Sequence, residues 1–117
     1  MQAPLHLVAR FWPVLTLVCL ALITWGSFQP EGTVVGDPNP YDKLLHLAAY
    51  GAVAGPLGLA WPRGVWVFLG GLVLWGAGIE ILQPLVGRES SWNDVAANLA
   101  GLGLGAAGGR VLGRILG

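Results

Sequence analysis

Charged residues are scarce in this chain, making up 10% of its 117 residues, whereas a typical soluble domain has about a quarter. Hydrophobic residues make up 55%, so a water-exposed surface cannot be built from what remains. The six basic and six acidic residues cancel, which leaves no basic surface to neutralise nucleic-acid phosphates. This composition excludes nucleic-acid binding and indicates a membrane protein.

Cysteine is also nearly absent, because Cys19 is the only one. A single cysteine cannot form an intrachain disulfide, and a metal site made of cysteines is excluded. Glycine and tryptophan, by contrast, are abundant, with nineteen Gly and six Trp. Glycine is common in membrane-spanning helices and tryptophan at their interfaces, so both support the same class of protein.

Four apolar stretches have the length of a membrane span, which takes about 20 helical residues for ~30 Å of hydrocarbon. They cover residues 9–28, 42–61, 64–83 and 92–111. No clear cleavage site follows the first stretch, so we expect it to be retained as an anchor rather than removed as a signal peptide. The predicted fold is all-α, a single domain over residues 1–117 with a bundle of four transmembrane helices.

Basic residues predict the orientation of this bundle. With four crossings, both termini and the short turn at Arg63 lie on one side of the membrane, together with Arg10, Arg110 and Arg114. The positive-inside rule then places both termini in the cytoplasm. Most tryptophans lie near predicted helix ends, but Trp75 lies in mid-helix and does not fit this pattern.

Polar side chains gather at the outer ends of the last three predicted helices. They are Asp42, His46 and Tyr50 on the second helix, Glu80 and Gln83 on the third, and Asp94 and Asn98 on the fourth. Spacings of three or four residues place the members of each set on one helix face. Glu80 is the most informative, because a carboxylate inside a spanning helix costs on the order of 2.5–3.5 kcal/mol at mid-helix and often marks function.

Two basic residues, Lys43 and Arg88, lie near the same end. Lys43 either joins the site or extends to lipid headgroups, and Arg88 either closes the site or contacts lipid phosphate. Structural roles also stay open for the others. Asp42 and Asp94 lie in first helical turns, where a carboxylate caps the helix, and Tyr50 suits packing.

Glycines repeat every four residues at Gly51 and Gly55 on the second helix, and at Gly101, Gly105 and Gly109 on the fourth. Small residues at this spacing let helix backbones approach closely. We therefore predict tight helix packing on these faces and assign them no further function.

Three motifs occur in order along the chain. D-K-x-x-H-x-x-x-Y begins at Asp42, E-x-x-Q begins at Glu80, and R-x5-D-x3-N-x2-G runs from Arg88 to Gly101. This pattern resembles the VanZ-like family of bacterial membrane proteins over the last three predicted helices. The resemblance implies a cell-envelope role in the plasma membrane and a link to resistance against the glycopeptide teicoplanin. It does not supply a reaction, and it leaves the cofactor unknown.

The first functional hypothesis is an enzyme or binding site for an anionic, lipid-linked envelope intermediate. Lys43, His46 and Arg88 would hold its phosphate or carboxylate, while Glu80 or Asp94 orients His46 as an acid or base. The catalytic candidates are His46, Glu80 and Asp94, and the ligand-binding candidates are Asp42, Lys43, Tyr50, Gln83, Arg88 and Asn98. Because no nucleophile motif is present, whether the protein is an enzyme stays open.

The alternative is a non-enzymatic accessory protein, in which the same groups form a buried network and the bundle acts through a protein partner or a second copy. A third hypothesis is a divalent metal site, since carboxylate and imidazole suit such an ion. Its ligands would be Asp42, His46, Glu80 and Asp94, although their spacing matches no metal motif of known specificity. A transporter would require the four helices to oligomerise.

Overall fold

The computed structural model describes residues 3–28, 42–87 and 92–116, apart from the side chains of Asp42 and Lys43. Over these ranges the chain is all-helical and contains no strand, as predicted. The helices are α1 (Ala3–Arg10), α2 (Trp12–Ser27), α3 (Asp42–Ala60), α4 (Val65–Leu82) and α5 (Trp92–Leu116). A short 3-10 helix, Gln83–Val86, continues α4.

Among the described residues, two helices are long and apolar enough to cross a membrane, Val65–Val86 and Trp92–Leu116. A third span is obtained if α1 and α2, which are bent by 70°, cross as one unit. The apolar part of α3, Leu44–Ala60, is shorter. These helices support a membrane protein, but their length and composition do not establish the four predicted spans.

The first predicted helix begins later than expected. The sequence predicts one helix over residues 9–28, whereas α2 begins at Trp12 and residues 9 and 10 belong to α1. Pro13 lies in the first turn of α2, where its missing N–H is tolerated. Its ring would clash with the carbonyl of a continuous helix four residues earlier. Proline therefore separates the two helices.

The closest packing in the bundle is between α3 and α5. A Cβ atom added at Gly105 would lie 2.9 Å from Gly51 Cα, and one added at Gly109 would lie 2.7 Å from the Leu59 nitrogen. Such distances leave no room for a side chain, so the predicted tight packing of the glycine faces is confirmed. Because later residues of α5 meet later residues of α3, the two helices run parallel.

Helices α2 and α4 also run parallel. Near their beginnings, the Trp12 and Phe68 rings pack edge to face with centroids 5.0 Å apart. Further along, the indole N–H of Trp75 donates a hydrogen bond to the Thr24 hydroxyl at 2.9 Å. This contact accounts for the mid-helix position of Trp75, because its polar group is satisfied by a neighbouring helix rather than at the membrane interface.

The core lies among α3, α4 and α5. Tyr50, Val53 and Leu57 of α3 are almost completely buried there. Helix α2 joins this core through the Thr16 hydroxyl, which donates a buried hydrogen bond to the Val53 carbonyl oxygen at 2.8 Å. Hydrogen bonds of this kind hold helices together where water is absent.

A short turn joins α3 to α4 as an antiparallel hairpin. Trp61 and Gly64 in this turn have positive φ angles of 44° and 75°, and α4 follows directly. The Arg110 guanidinium of α5 lies over the Trp61 ring, 4.8 Å from its centroid. Arg63 and Arg110 therefore lie at the same end of the bundle, as the predicted topology requires.

Candidate functional site

The opposite end of the bundle contains three ionisable side chains, one from each of the core helices. His46 comes from the beginning of α3, Glu80 from the end of α4 and Asp94 from the first turn of α5. One nitrogen of His46 and one oxygen of each carboxylate all lie within 4.8 Å of one another. The structure thus brings together the three residues predicted to be catalytic, which we call the His–Glu–Asp cluster.

Burial makes this cluster unusual for charged groups. Glu80 is 5% exposed and Asp94 is 7% exposed, while His46 is partly buried. Each of the three residues also makes a further interaction with its surroundings. Carboxylates this well buried are expected only where neighbouring groups or a ligand stabilise their charge or their proton.

Glycine packing explains why His46 and Asp94 meet. A Cβ atom added at Gly101 of α5 would lie 2.5 Å from the carbonyl oxygen of Leu47, the residue that follows His46. The α5 backbone therefore passes against α3 close to the cluster. A larger residue at Gly101 would hold the helices apart and move Asp94 away from His46.

Tyr50 closes the inner side of the cluster. Its ring and hydroxyl lie 3.3 Å from where a Cβ of Gly76 would be, and its own Cβ lies 3.0 Å from the corresponding position at Gly101. The side chain is 2% exposed and interacts electrostatically with Glu80, one turn after Gly76. Tyr50 therefore fills the space that two glycines leave between α4 and α5.

Two predicted ligand-binding residues follow the carboxylates by one turn: Gln83 follows Glu80, and Asn98 follows Asp94. Gln83 donates a hydrogen bond from Nε2 to the Ser27 carbonyl oxygen at 3.1 Å. The side-chain oxygens of Gln83 and Asn98 are buried and accept no hydrogen bond from the part of the chain that the structure describes. Burying a hydrogen-bond acceptor without a donor costs ~1–3 kcal/mol of folding free energy. We therefore expect both oxygens to bind a ligand, an ion or water.

The remaining predicted site residues are not placed. Arg88 lies outside the described residues, as do the side chains of Asp42 and Lys43. Their roles as ligand-binding residues stay predictions.

Two contributors to the site were missed by the sequence analysis. Gly76 provides the space for the Tyr50 ring, and its spacing of four residues before Glu80 was a usable signal, because the two share a helix face. Ser27 contributes through its backbone carbonyl. No side-chain pattern would have shown the second contact.

An apolar groove runs along the outside of the bundle between α2 and α4. It consists of two adjoining cavities of about 310 and 460 Å³, which share Gly71 and Trp75 in their walls. The larger one extends along α4 to Ile79 and Leu82, which flank Glu80 in sequence. The groove therefore ends at the same end of the bundle as the His–Glu–Asp cluster.

Comparison with known proteins adds no relative, since no family model, no curated protein and no solved structure matches this chain. The class of protein is set by the fold and the site themselves. It is an all-helical bundle with membrane-type helices and a buried polar cluster at one end.

Proposed function

We propose that this protein is a VanZ-like protein of the bacterial plasma membrane that binds or modifies an anionic, lipid-linked envelope intermediate. In this proposal α2, α3, α4 and α5 each cross the membrane, both termini are cytoplasmic, and the His–Glu–Asp cluster lies near the outer surface. The observation that carries the proposal is the meeting of His46, Glu80 and Asp94 from three helices at one end of the bundle.

The arrangement of the helices supports four crossings. Helix α3 has 19 residues, which span about 28 Å at ~1.5 Å per residue, close to the ~30 Å of a bilayer core. Helix α2 is shorter, at 16 residues, which span about 24 Å, so it would need local thinning of the bilayer even without tilt. The parallel pairs α2–α4 and α3–α5 are what an up-and-down bundle requires.

The chemistry of the site suits an anionic headgroup. Helices α3 and α5 both begin at this end, and the positive ends of their dipoles favour a negative ligand. Lys43 and Arg88, which are near this end in sequence, would add charge-assisted hydrogen bonds to phosphate oxygens. His46 would serve as the acid or base, with Glu80 or Asp94 orienting its ring.

The apolar groove would hold the hydrocarbon chain of such a ligand. Its walls are formed mainly by aliphatic and aromatic side chains along α2 and α4, together with two threonines and the backbone of two glycines, and it ends near the cluster. A ligand with an anionic head at the cluster and an acyl or prenyl chain in the groove would use both features. A water-soluble substrate would use only the first.

Native mass spectrometry of the gently extracted protein tests this proposal. We expect wild type to retain a phospholipid or polyprenyl-phosphate mass that His46→Ala and Glu80→Gln lose. His6→Ala is the matched control, because His6 is the other histidine and belongs to α1. An adduct retained equally by all four proteins would refute a headgroup site at the cluster.

The link to teicoplanin resistance has a separate test. Expression in a susceptible Gram-positive host should raise the inhibitory concentration of teicoplanin, and His46→Ala at equal membrane abundance should not. An unchanged inhibitory concentration with wild type would contradict the resistance role and leave the binding proposal to be judged by mass spectrometry.

A second candidate is the accessory protein without catalysis, which is favoured by the hydrogen bond from Gln83 to the Ser27 carbonyl. This contact ties α4 to α2, so at least one predicted ligand-binding residue has a structural role. The accessory proposal predicts that Glu80→Gln lowers the melting temperature and abolishes co-purification of a protein partner. An unchanged melting temperature together with a lost lipid adduct would favour the first candidate.

A further inference from the structure

The His–Glu–Asp cluster presents the donor set of a metal site rather than of a simple acidic patch. It offers one imidazole nitrogen and two carboxylate oxygens, each from a different helix, within 4.8 Å of one another. Imidazole suits Zn²⁺, Fe and Cu, while carboxylates also suit Mn²⁺. We infer that His46, Glu80 and Asp94 bind one divalent cation, Zn²⁺ or Mn²⁺.

The geometry fits such an ion after a small closure of side chains. Zinc lies about 2.0–2.2 Å from nitrogen and oxygen ligands, so neighbouring ligand atoms around it are roughly 3–3.5 Å apart. The three donors are therefore at most about 1–2 Å too far apart. A closure of this size is within the reach of side-chain rotation at Glu80 and Asp94.

Two further oxygens point to a ligand at the same place. The Asn98 side chain is 4% exposed and Gln83 is 3% exposed. Both side-chain oxygens accept no hydrogen bond from the described ranges 3–28, 42–87 and 92–116. Asn98 lies one turn after Asp94 and shares its face of α5. Gln83 lies three residues after Glu80, in the 3-10 helix that continues α4, and its amide nitrogen bonds the Ser27 carbonyl. Amide oxygens are suitable direct or water-mediated ligands for a divalent ion.

Charge also favours a cation at the cluster. Two neighbouring buried carboxylates ionise together only if positive charge lies with them. The structure describes four arginines, and all belong to the other end of the bundle. Arg110 lies sixteen residues or about 24 Å along α5 from Asp94, and Arg114 lies in the last turn of α5. Arg63 lies in the turn between α3 and α4, and Arg10 precedes the beginning of α2, which packs against the beginning of α4. A divalent ion would supply positive charge to the two carboxylates, and Lys43 and Arg88 are the competing source.

A bound ion would also explain how the acidic cluster binds an anionic lipid. Only this point rests on the proposed function. Two carboxylates would repel a phosphate headgroup, whereas an ion held by three protein ligands keeps coordination positions open for a phosphate oxygen. The ion would then connect the acidic cluster to the anionic lipid. The metal site itself is defined by the protein ligands and is measurable without any lipid.

Metal uptake by the full-length protein in detergent tests the inference. Protein stripped with a chelator is titrated with Zn²⁺ or with Mn²⁺ alone and then analysed for bound metal. We expect one ion per chain in wild type and in His6→Ala, and at least about tenfold weaker binding in His46→Ala, Glu80→Gln and Asp94→Asn. The inference is wrong if fewer than about one chain in ten binds metal at saturating concentration. It is also wrong if His46→Ala binds the metal with the same affinity as wild type.

A second measurement does not depend on site variants folding. Pulsed electron paramagnetic resonance of Mn²⁺-loaded His6→Ala should detect nitrogen coupling from one imidazole, which can come only from His46 in that background. The absence of nitrogen coupling would overturn the inference.

The two proposals fail in different ways. Metal uptake without a lipid adduct would support this site and refute the lipid proposal. A lipid adduct on protein that takes up no metal would refute the site, support the lipid proposal and leave Lys43 and Arg88 as the neutralising groups.

Discussion

Replacing Gly105 by alanine tests whether glycine is what allows α3 and α5 to pack. The added Cβ would lie 2.9 Å from Gly51 Cα and 3.0 Å from the Gly51 carbonyl carbon, whereas carbon atoms pack best at about 3.5–4.0 Å. The helices would have to separate by about 0.5–1 Å. Gly103 on the same helix is the matched control, because an added Cβ there meets nothing within 4 Å.

Two opposing effects set the size of the change in unfolding free energy. Alanine is favoured over glycine inside a helix by ~0.5–1 kcal/mol, and this gain applies to both variants. Overpacking costs ~1–3 kcal/mol, and this loss applies to Gly105→Ala alone. We therefore expect Gly103→Ala to be neutral or slightly stabilised, with Gly105→Ala about 1–3 kcal/mol less stable than that control.

Equilibrium unfolding in mixed detergent micelles, followed by circular dichroism, measures this difference. Gly105→Ala should also weaken ligand binding at the cluster, because α5 carries Asp94. Equal stability of the two variants would refute the conclusion that backbone contact between α3 and α5 requires glycine.

Three further predictions concern the core, the α2 contact and the groove. Tyr50→Ala should lower the unfolding free energy by about 3–5 kcal/mol because a fully buried ring is removed, while Tyr50→Phe keeps the packing and should stay within about 1.5 kcal/mol of wild type. Equal unfolding free energies of Tyr50→Ala and Tyr50→Phe in the same assay would refute the role of the ring in packing. Thr16→Val should cost about 0.5–1.5 kcal/mol through loss of the hydrogen bond to the Val53 carbonyl, whereas Thr16→Ser, which keeps the hydroxyl, should stay close to wild type. An unchanged stability in Thr16→Val, or a loss found only in Thr16→Ser, would mean that the methyl group rather than the hydroxyl matters. Gly78→Leu should fill the groove and reduce the retained lipid in native mass spectra without lowering the melting temperature, because an added Cβ meets no atom within 4 Å. Gly103→Leu, away from the groove, should leave lipid retention unchanged, and a parallel loss there would exclude the groove.

Much of the helical framework was predictable from the order of apolar and polar residues. Helix α4 was predicted over residues 64–83 and is found at Val65–Leu82, because Gly64 and Pro84 bound an apolar run in which Glu80 is the one charged residue. The beginning of the first helix was predicted wrongly, because Pro13 lies inside an apolar stretch that composition alone does not divide. Hydropathy responds to side-chain polarity and not to the missing N–H of proline.

The candidate site was predictable where helical spacing determines which side chains share a face. His46, Glu80 and Asp94 were expected to meet because α3 and α5 begin where α4 ends, and they do lie together. The fit of the Tyr50 ring between Gly76 and Gly101 was not predictable, since it depends on distances between helices. Spacing along one helix contains no information about those distances.

The separation of α3 from α5 along the chain has a consequence for biosynthesis. A chain is synthesised from its N-terminus, so α3 and α4 are both made before the glycine face of α5 that packs against α3. The imidazole and the two carboxylates can therefore come together only after α5 has been made, and a product that ends before α5 would contain His46 and Glu80 without Asp94.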